Sequence, residues 1–507
     1  MKKRSIHSLS HFNLLTTQMG LITPIECVDV LPGDSFMQDN SVFLRTMPLV
    51  APVMHPVHVE IRSFFVPLRI IWDEFEDFIT GGPKGLNNSV HPHFVADEQN
   101  CKLGELNDYL GIPPDTLLGT KVNCLYARAY ALIYNEYFRD QDIDEELPIS
   151  FESGQDTTTP SVLQRADWRK DYFTLARPFE QKGPAAVVPI TSSGGAITGL
   201  TGTTTTTVTI GSDSGRWNPA TGLKSGAGVN NSRSLIFGDG DGFTQSNHTH
   251  AATAVSNTVV SGNASFDLGT MSISDFREAM QLQRFEEIRS LYGSRYEDYQ
   301  AVLGVRSSDG RLQNPEYLGG GQRTIQFSEV LQTSEGSSPV GTLRGHGIGA
   351  LKTKRFLRFF NEHGILLTLL VVRPISIYTQ GLNRMFLRET RFDYWQPQFE
   401  HIGQQSVLNK ELYAASPNGD DTFGFSNRYN EYRYHPSNVH GEFRTYYEDW
   451  HLGRKFESTP TLNSDFLKCH PTTRIFAETS GNYDQLLVMC QNHIRARRLI
   501  SKNGDPI

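Results

Sequence analysis

The chain has 507 residues, 38% hydrophobic, 11% aromatic and 20% charged, and its 55 acidic and 47 basic side chains leave a net charge of −8. Such a composition excludes a disordered chain, and the charge excludes a global attraction to nucleic acid or an anionic membrane, so any such contact must be local. Cys27, Cys101, Cys124, Cys469 and Cys490 are scattered without C-x-x-C spacing, which excludes a disulfide framework and a zinc site and fits a reducing cytoplasm.

Lys2, Lys3 and Arg4 open the chain, but Ser8, Ser10, His11 and Asn13 interrupt any apolar stretch behind them, so no signal peptide is expected. Pro32-Gly33 marks a turn within Asp29-Val-Leu-Pro-Gly-Asp34. Val57, Val59, Ile61 and Phe65 alternate with His58, Glu60 and Arg62, the pattern of a half-buried strand that Pro67 stops. Ile70, Ile71, Phe75, Phe78 and Ile79 fall at helical spacing, and Gly81-Gly82 ends that helix. A second helix is expected to start near Asn123, a good capping residue, with Leu125, Ala129, Leu132, Ile133 and Tyr137 as its apolar stripe.

After Gln181-Lys-Gly-Pro184 the composition changes. Between Thr191 and Val260, Thr, Gly and Ser supply 35 of 70 residues, and only six are Asp, Glu, Lys or Arg. Thr203 to Thr207 lead into Val208, Thr209 and Ile210, and Val259-Val260 recur before Phe266. These stiff, β-favouring side chains point to a folded β-rich excursion rather than a linker. The chain returns with a helix over Ser274–Tyr292, whose Phe276, Met280, Phe285, Ile288 and Tyr292 share one face; a shorter helical stretch runs on to Leu303. Ile365 to Val372 is apolar throughout, far too short to span a membrane, and reads as a strand covered on both faces. Glu431, Arg433 and His435 alternating with Tyr432 and Tyr434 read as another half-buried strand. Strands outnumbering irregular helices, many Gly and Pro, and no repeat at fixed period suit a soluble β-sandwich or jelly roll with enlarged loops.

Catalytic motifs fail their own requirements. Gly345-His-Gly-Ile-Gly349 lacks dinucleotide spacing, Lys352 sits in no Walker arrangement, and no G-x-S-x-G or H-E-x-x-H occurs. Asp239-Gly-Asp241-Gly begins like a calcium loop but has Phe243 and His250 where oxygen ligands belong, so a polar turn is expected there and no metal. His248 and His250 read as loop residues. The basic clusters are more informative. Lys2, Lys3 and Arg4 at one end, and Arg495, Arg497, Arg498 and Lys502 at the other, are candidate contacts to single-stranded nucleic acid. Lys352, Lys354, Arg355 and Arg358, interleaved with Phe356, Phe359 and Phe360, are a weaker candidate, since Phe356-Leu357 also suit a core with cations reaching outward.

Several segments then carry a family likeness: Asp29-Val-Leu-Pro-Gly-Asp34, Phe64-Phe-Val-Pro67 with Trp72, Tyr134-Asn-Glu-Tyr-Phe-Arg-Asp-Gln141, Arg311-Leu-Gln-Asn-Pro-Glu-Tyr-Leu-Gly-Gly320, Gln380-Gly-Leu-Asn-Arg-Met385, Leu408-Asn-Lys-Glu411, Tyr429-Asn-Glu-Tyr-Arg-Tyr434 and Pro460-Thr-Leu-Asn463. In this order they resemble the major capsid proteins of gokushoviruses, small single-stranded-DNA bacteriophages of the microvirus family. The likeness fades between about 190 and 268 and at the extreme C-terminus.

The resemblance implies a mainly β protein, an eight-stranded viral jelly roll with long loops, several helices and one large insertion, and no enzyme. It implies a core of residues 1–190 and 269–507, with 191–268 forming a protrusion at the threefold axis that contacts a receptor on the host cell surface. Sixty copies would form a T=1 icosahedral shell around circular single-stranded DNA, assembled in the bacterial cytoplasm. A small basic DNA-binding protein and an internal scaffolding protein are the further partners it implies; no cofactor or metal is expected. The residues alone leave open a β-sandwich carbohydrate-binding protein or glycoside hydrolase, since Trp-, Tyr- and Asp-rich loops also suit sugars, although no pair of opposed carboxylates stands out.

Overall fold

The computed structural model describes residues 4–84, 86–183, 314–331, 343–478 and 483–502, with the backbone of short strands inside 202–260 and of a helix over 273–292. The chain divides into two compact units, Met1–Pro184 with Arg284–Ile507, and Ala185–Gln283. The first opens with β1 (Ser5–Ser8), β2 (His11–Thr17), β3 (Ile22–Val30), β4 (Ser35–Thr46) and β5 (Val57–Pro67). Helices α1 (Phe75–Thr80), α2 (Leu106–Tyr109) and α3 (Leu125–Tyr137) follow, with the small ladder β6 (His93–Val95) and β7 (Lys121–Asn123) among them. In the second unit β8 (Gly202–Thr206) pairs with β13 (Val255–Val260), β9 (Arg216–Asn218) with β10 (Leu223–Ser225), and β11 (Ser234–Phe237) with β12 (Phe243–Ser246), all antiparallel. The helix α4 (Ile273–Tyr292) comes next, then β14 (Glu316–Thr324), β15 (Gln326–Leu331), β16 (Leu343–Lys352), β17 (Phe356–Phe359) and β18 (Gly364–Pro374). A hairpin of β19 (Gln404–Leu408) and β20 (Thr422–Asn427) precedes the last strand, β21 (Leu486–Arg498).

The main unit is a β-sandwich of two antiparallel sheets. The larger runs β1-β21-β4-β16-β15, with β2 also paired to β21 and β17 to β4; the smaller runs β14-β5-β18-β3. The Pro32-Gly33 turn, with Gly33 at φ 87°, carries the chain from β3 in the small sheet to β4 in the large one. Every residue of β18 is buried, as its unbroken apolar run dictates. On one side it meets the large sheet; on the other, Ile365, Leu367, Leu369 and Val371 pack with α3, Trp72 and Phe75. Helix α3 is fixed by the buried Arg128, which donates to Asp156 at 2.8 Å and to the carbonyls of Ile71 and Glu152. The Asn123 side chain accepts from the Leu125 amide at 2.9 Å and so caps it.

Between the sheets the core is layered. Phe36, Phe65, Phe360, Leu366, Ile494 and Ala496 form one apolar cluster. Ile25, Val42, Leu44, Val59, Ile61, Leu370, Val372, Val488 and Cys490 belong to another. Five strands place polar side chains between the two: Glu26 on β3, Gln38 and Asn40 on β4, Ser63 on β5, Thr368 on β18 and Asn492 on β21, all buried. Glu26 Oε2 accepts from Gln38 Nε2 at 2.5 Å, Asn40 Nδ2 at 2.8 Å and Thr368 Oγ1 at 3.2 Å. Asn40 Nδ2 donates to Asn492 Oδ1 at 2.7 Å, and Ser63 and Thr368 share a 3.0 Å hydrogen bond.

Four expectations need revision. The strand expected over Val57–Phe65 forms, but the face of His58, Glu60 and Arg62 is not a wet one: Glu60 is buried and accepts from Arg373 at 2.7 Å, and Phe64 on the same side is buried. The expected strand over Glu431–His435 is instead a 3-10 turn, Asn430–Tyr432, entered through Tyr429 in the left-handed region at φ 61°; a residue there breaks an extended run, and the alternating tyrosines serve loop packing. The helix expected from Ile70 begins only at Phe75, because Leu68–Ile70 form a separate 3-10 turn after Pro67, although Gly81 at φ 84° does end it. On α4 the expected apolar residues Phe276, Met280 and Phe285 are 43%, 55% and 45% exposed. The helical stretch expected up to Leu303, and Asp239, Asp241, His248 and His250, lie outside the described residues.

Replacing Asn40 with Leu removes a donor from both Glu26 and Asn492 in a buried layer. A loss of about 1–3 kcal/mol in unfolding free energy is expected from the stranded acceptors, read from the urea midpoint of the expressed chain. An unchanged midpoint would mean that the polar layer does not tie the sheets together.

Candidate nucleic-acid interface

Strand β21 alternates strictly: Leu486, Val488, Cys490, Asn492, Ile494 and Ala496 are buried, while Leu487, Met489, Gln491, Arg495 and Arg497 are exposed and His493 is half-buried. Its outer face therefore carries Arg495 and Arg497 on the solvent side of the large sheet. The antiparallel register with β1 pairs Ser5 with Arg498 and Ser8 with Arg495, so the two ends of the chain meet there. On the other side of β21, Met37 pairs with Arg495 and with Leu357 of β17, which aligns β1, β21, β4 and β17 in rows.

A depression of about 260 Å³ opens on this face. Ser8 and Ser10 line it at the β1 end, Asp39, His493 and Arg495 form its middle, and Lys352 at the end of β16 and Arg355 between β16 and β17 complete it. Asp39 lies 2.8 Å from Arg355 Nε and 3.4 Å from Lys352 Nζ. Burial works to raise the Asp39 carboxyl, but the two cations overcome it and hold it below the usual carboxylate range. Arg358 is paired with Glu316 at 2.9 Å. Arg495, Arg497 and the exposed Lys354 make no ion pair among the described residues, so the face keeps a positive surplus once its carboxylates are matched. Exposed rings adjoin it: Phe359 under the Arg4 guanidinium at 4.8 Å, and Phe12 on β2. Cations beside exposed rings can neutralise phosphates and stack bases.

The seven residues expected from the sequence divide. Arg495 and Arg497 stand on the outer face, and Arg4 joins them through β1. Arg498 points away from this role. Its Nε lies 3.0 Å from Asp34, which is fully buried, and its guanidinium sits 5.3 Å from the Phe36 ring and donates to the Asp29 carbonyl. Lys502 is exposed beyond the end of β21, and Lys2 and Lys3 lie outside the described residues. Sequence reasoning missed Ser8, Ser10, Asp39 and His493. The available signal was the period-2 alternation of His493, Arg495 and Arg497 against Asn492, Ile494 and Ala496.

Two antiparallel sheets closed on a shared core, wrapped in long loops and bearing a cationic sheet face, define a structural β-sandwich protein. Its membership follows from its relatives: the capsid protein (F protein) family of phages matches residues 1–507, and the chain belongs to that family. It is 33% identical to capsid protein VP1 of Chlamydia phage 1 over 94% of this chain and 91% of that one. It is 32% identical to capsid protein VP1 of Bdellovibrio phage phiMH2K, over 92% and 88%, and 28% identical to capsid protein VP1 of Spiroplasma virus 4, over 92% and 87%. These relatives are structural proteins, so the chain is not an enzyme and the glycoside hydrolase alternative falls.

The division of labour among the C-terminal arginines is measurable by urea unfolding. Arg498→Ala strands a fully buried Asp34 and should cost on the order of 3 kcal/mol. Arg495→Ala should stay within about 0.5 kcal/mol of the parent. Equal effects would contradict the assignment.

Proposed function

We propose that this protein is the major subunit of a T=1 icosahedral phage shell, sixty copies enclosing circular single-stranded DNA, built on an eight-stranded jelly roll. The observation that carries the reading is identity of about 30% to three phage capsid proteins over nearly the whole chain. A sandwich with long loops supports it, because loops projecting from a rigid two-sheet body supply the large heterologous contacts that close a shell. Residues 191–268 would form the threefold protrusion and contact a host receptor. Few charges in that stretch limit repulsion where three copies meet. An internal scaffolding protein and a small basic DNA-binding protein would complete assembly in the host cytoplasm.

The cationic outer face of the large sheet would line the shell interior. Its support is local: a surplus of positive charge on one sheet face of a chain whose net charge is −8. Each neutralised phosphate of a single strand contributes roughly −0.7 to the slope of log affinity against log salt. Removing two contacts through Arg495→Ala with Arg497→Ala should thus flatten the slope by about 1.4, twice that value. Salt-titrated binding of a single-stranded oligonucleotide to expressed protein measures this, and an unchanged slope would place the DNA on another surface.

Shell formation and attachment separate in one further experiment. Replacing residues 191–268 with a short Gly/Ser linker should leave megadalton particles countable by electron microscopy, since loop-closure entropy changes only slowly with length. Adsorption to host cells should collapse. Normal adsorption by these particles would refute the attachment role, and a stable monomer from the intact chain would sink the shell itself.

A further inference from the structure

The polar layer holds one carboxyl, that of Glu26, with no ion-pair partner among the described residues. Strand β3 bulges against β18: Thr368 faces Glu26 but Leu369 faces Pro24, leaving Ile25 as the extra residue. Pro24 has no amide hydrogen for the ladder, and the bulge keeps both Ile25 and Glu26 buried. The Ile25 carbonyl accepts instead from Asn13 Nδ2 at 2.9 Å and Asn492 Nδ2 at 3.2 Å. Glu26 is thus held inside the sandwich by its own strand.

All three donors that reach Glu26 converge on Oε2. Its other oxygen, Oε1, is buried without a partner, and so is Gln38 Oε1 in the same network. Two stranded acceptors in one closed network are a network short of a proton. The charged and titratable surroundings offer no substitute. On β3 itself stand Cys27 and Asp29, and β21 contributes the Cys490 thiol. From β2, the His11 ring meets Asn492 Nδ2 at 3.1 Å and the Leu9 carbonyl at 2.9 Å, and neither contact reaches Glu26. On β4, Asp39 is engaged with Lys352 and Arg355 on the outer face, and β5 and β18 contribute the hydroxyls of Ser63 and Thr368.

We propose that the folded chain holds Glu26 as a neutral carboxylic acid bridging the two sheets, and that release of this single proton is a built-in trigger loosening the sandwich. Burial pushes the Glu26 carboxyl up from 4.5 to about 7, against the pull of its hydrogen bonds to Asn40, Thr368 and Gln38. A carboxyl raised on folding contributes stability that is complete below its unfolded pKa of 4.5 and is lost as pH rises through its folded value of about 7. Across that window the folded-to-unfolded ratio should fall roughly tenfold per pH unit on account of this group alone. Above it, the carboxylate stays in place only by straining a layer that has no cation.

Glu26→Gln tests this directly, because the amide keeps an acceptor for the three donors and supplies the N–H that a protonated acid would supply. Urea unfolding of the full chain at pH 5 and pH 8 should show parent and variant nearly equal at the lower pH. At the higher pH the variant should be on the order of a hundredfold more favourably folded. Infrared difference spectra of the parent, titrated from pH 5 to 9, should show a protonated-carboxyl C=O stretch that fades near neutrality and is missing from the variant. Parallel pH profiles for the two proteins, absence of that band at pH 5, or failure of the variant to fold would each overturn the proposal.

Discussion

The main unit depends on a polar layer set across an apolar interior. A sheet strand buries every second residue, so a one-residue slip exchanges its faces, while a two-residue slip preserves the faces and is normally discouraged only by packing. Here the second error is also costly. Along β18 the inward sequence is Leu366, Thr368, Leu370; along β21 it is Ile494, Asn492, Cys490; along β5 it is Phe65, Ser63, Ile61. Shifting any of them by two would bury a hydroxyl or amide among aromatic rings and place a leucine or phenylalanine among amides. Unpaired polar groups of that kind cost about 1–3 kcal/mol each. The layer therefore fixes strand registers that apolar packing alone would leave nearly degenerate.

The cationic face inherits its geometry from that register. Asn492 is inward because it must meet Asn40, so His493 and Arg495 are placed outward and inward-outward order is set to the end of β21. With Arg495 opposite Met37, β1 pairs so that Ser8 meets Arg495, and Arg4 lies beside Phe359. Arg4 from one end of the sequence and Arg495 and Arg497 from the other are thereby brought to one sheet, a juxtaposition that no local pattern encodes.

What could be read from the sequence follows the same physics. Val57–Phe65, the all-apolar Ile365–Val372, the Asn123 cap and the Gly81 stop were legible, because each is a local pattern answering to a local constraint. The 430–435 stretch misled, since alternation of tyrosine with charged residues also suits a loop, and the left-handed Tyr429 has no glycine to announce it. Gln38 and Asn40 were invisible as core residues: a single chain shows their polarity but not the partners on β3, β18 and β21 that make it affordable. Arg498 was grouped with its neighbours by charge, yet its partner Asp34 lies far away in sequence, beyond any local signal.

The electrostatic argument ends with how acid and base are distributed rather than with their totals. A net charge of −8 gives a weak field at any distance, because screening at physiological salt acts over about 8 Å. Near that face three carboxylates are engaged: Asp34 with Arg498, Asp39 with Arg355 and Lys352, and Glu316 of β14 in the smaller sheet with Arg358. Arg495, Arg497 and Lys354 make no ion pair among the described residues. Because Asp34, Asp39 and Glu316 are each engaged with another cation, none of the three is left to pair with Arg495 or Arg497, whose outward placement follows from the register set by the polar layer.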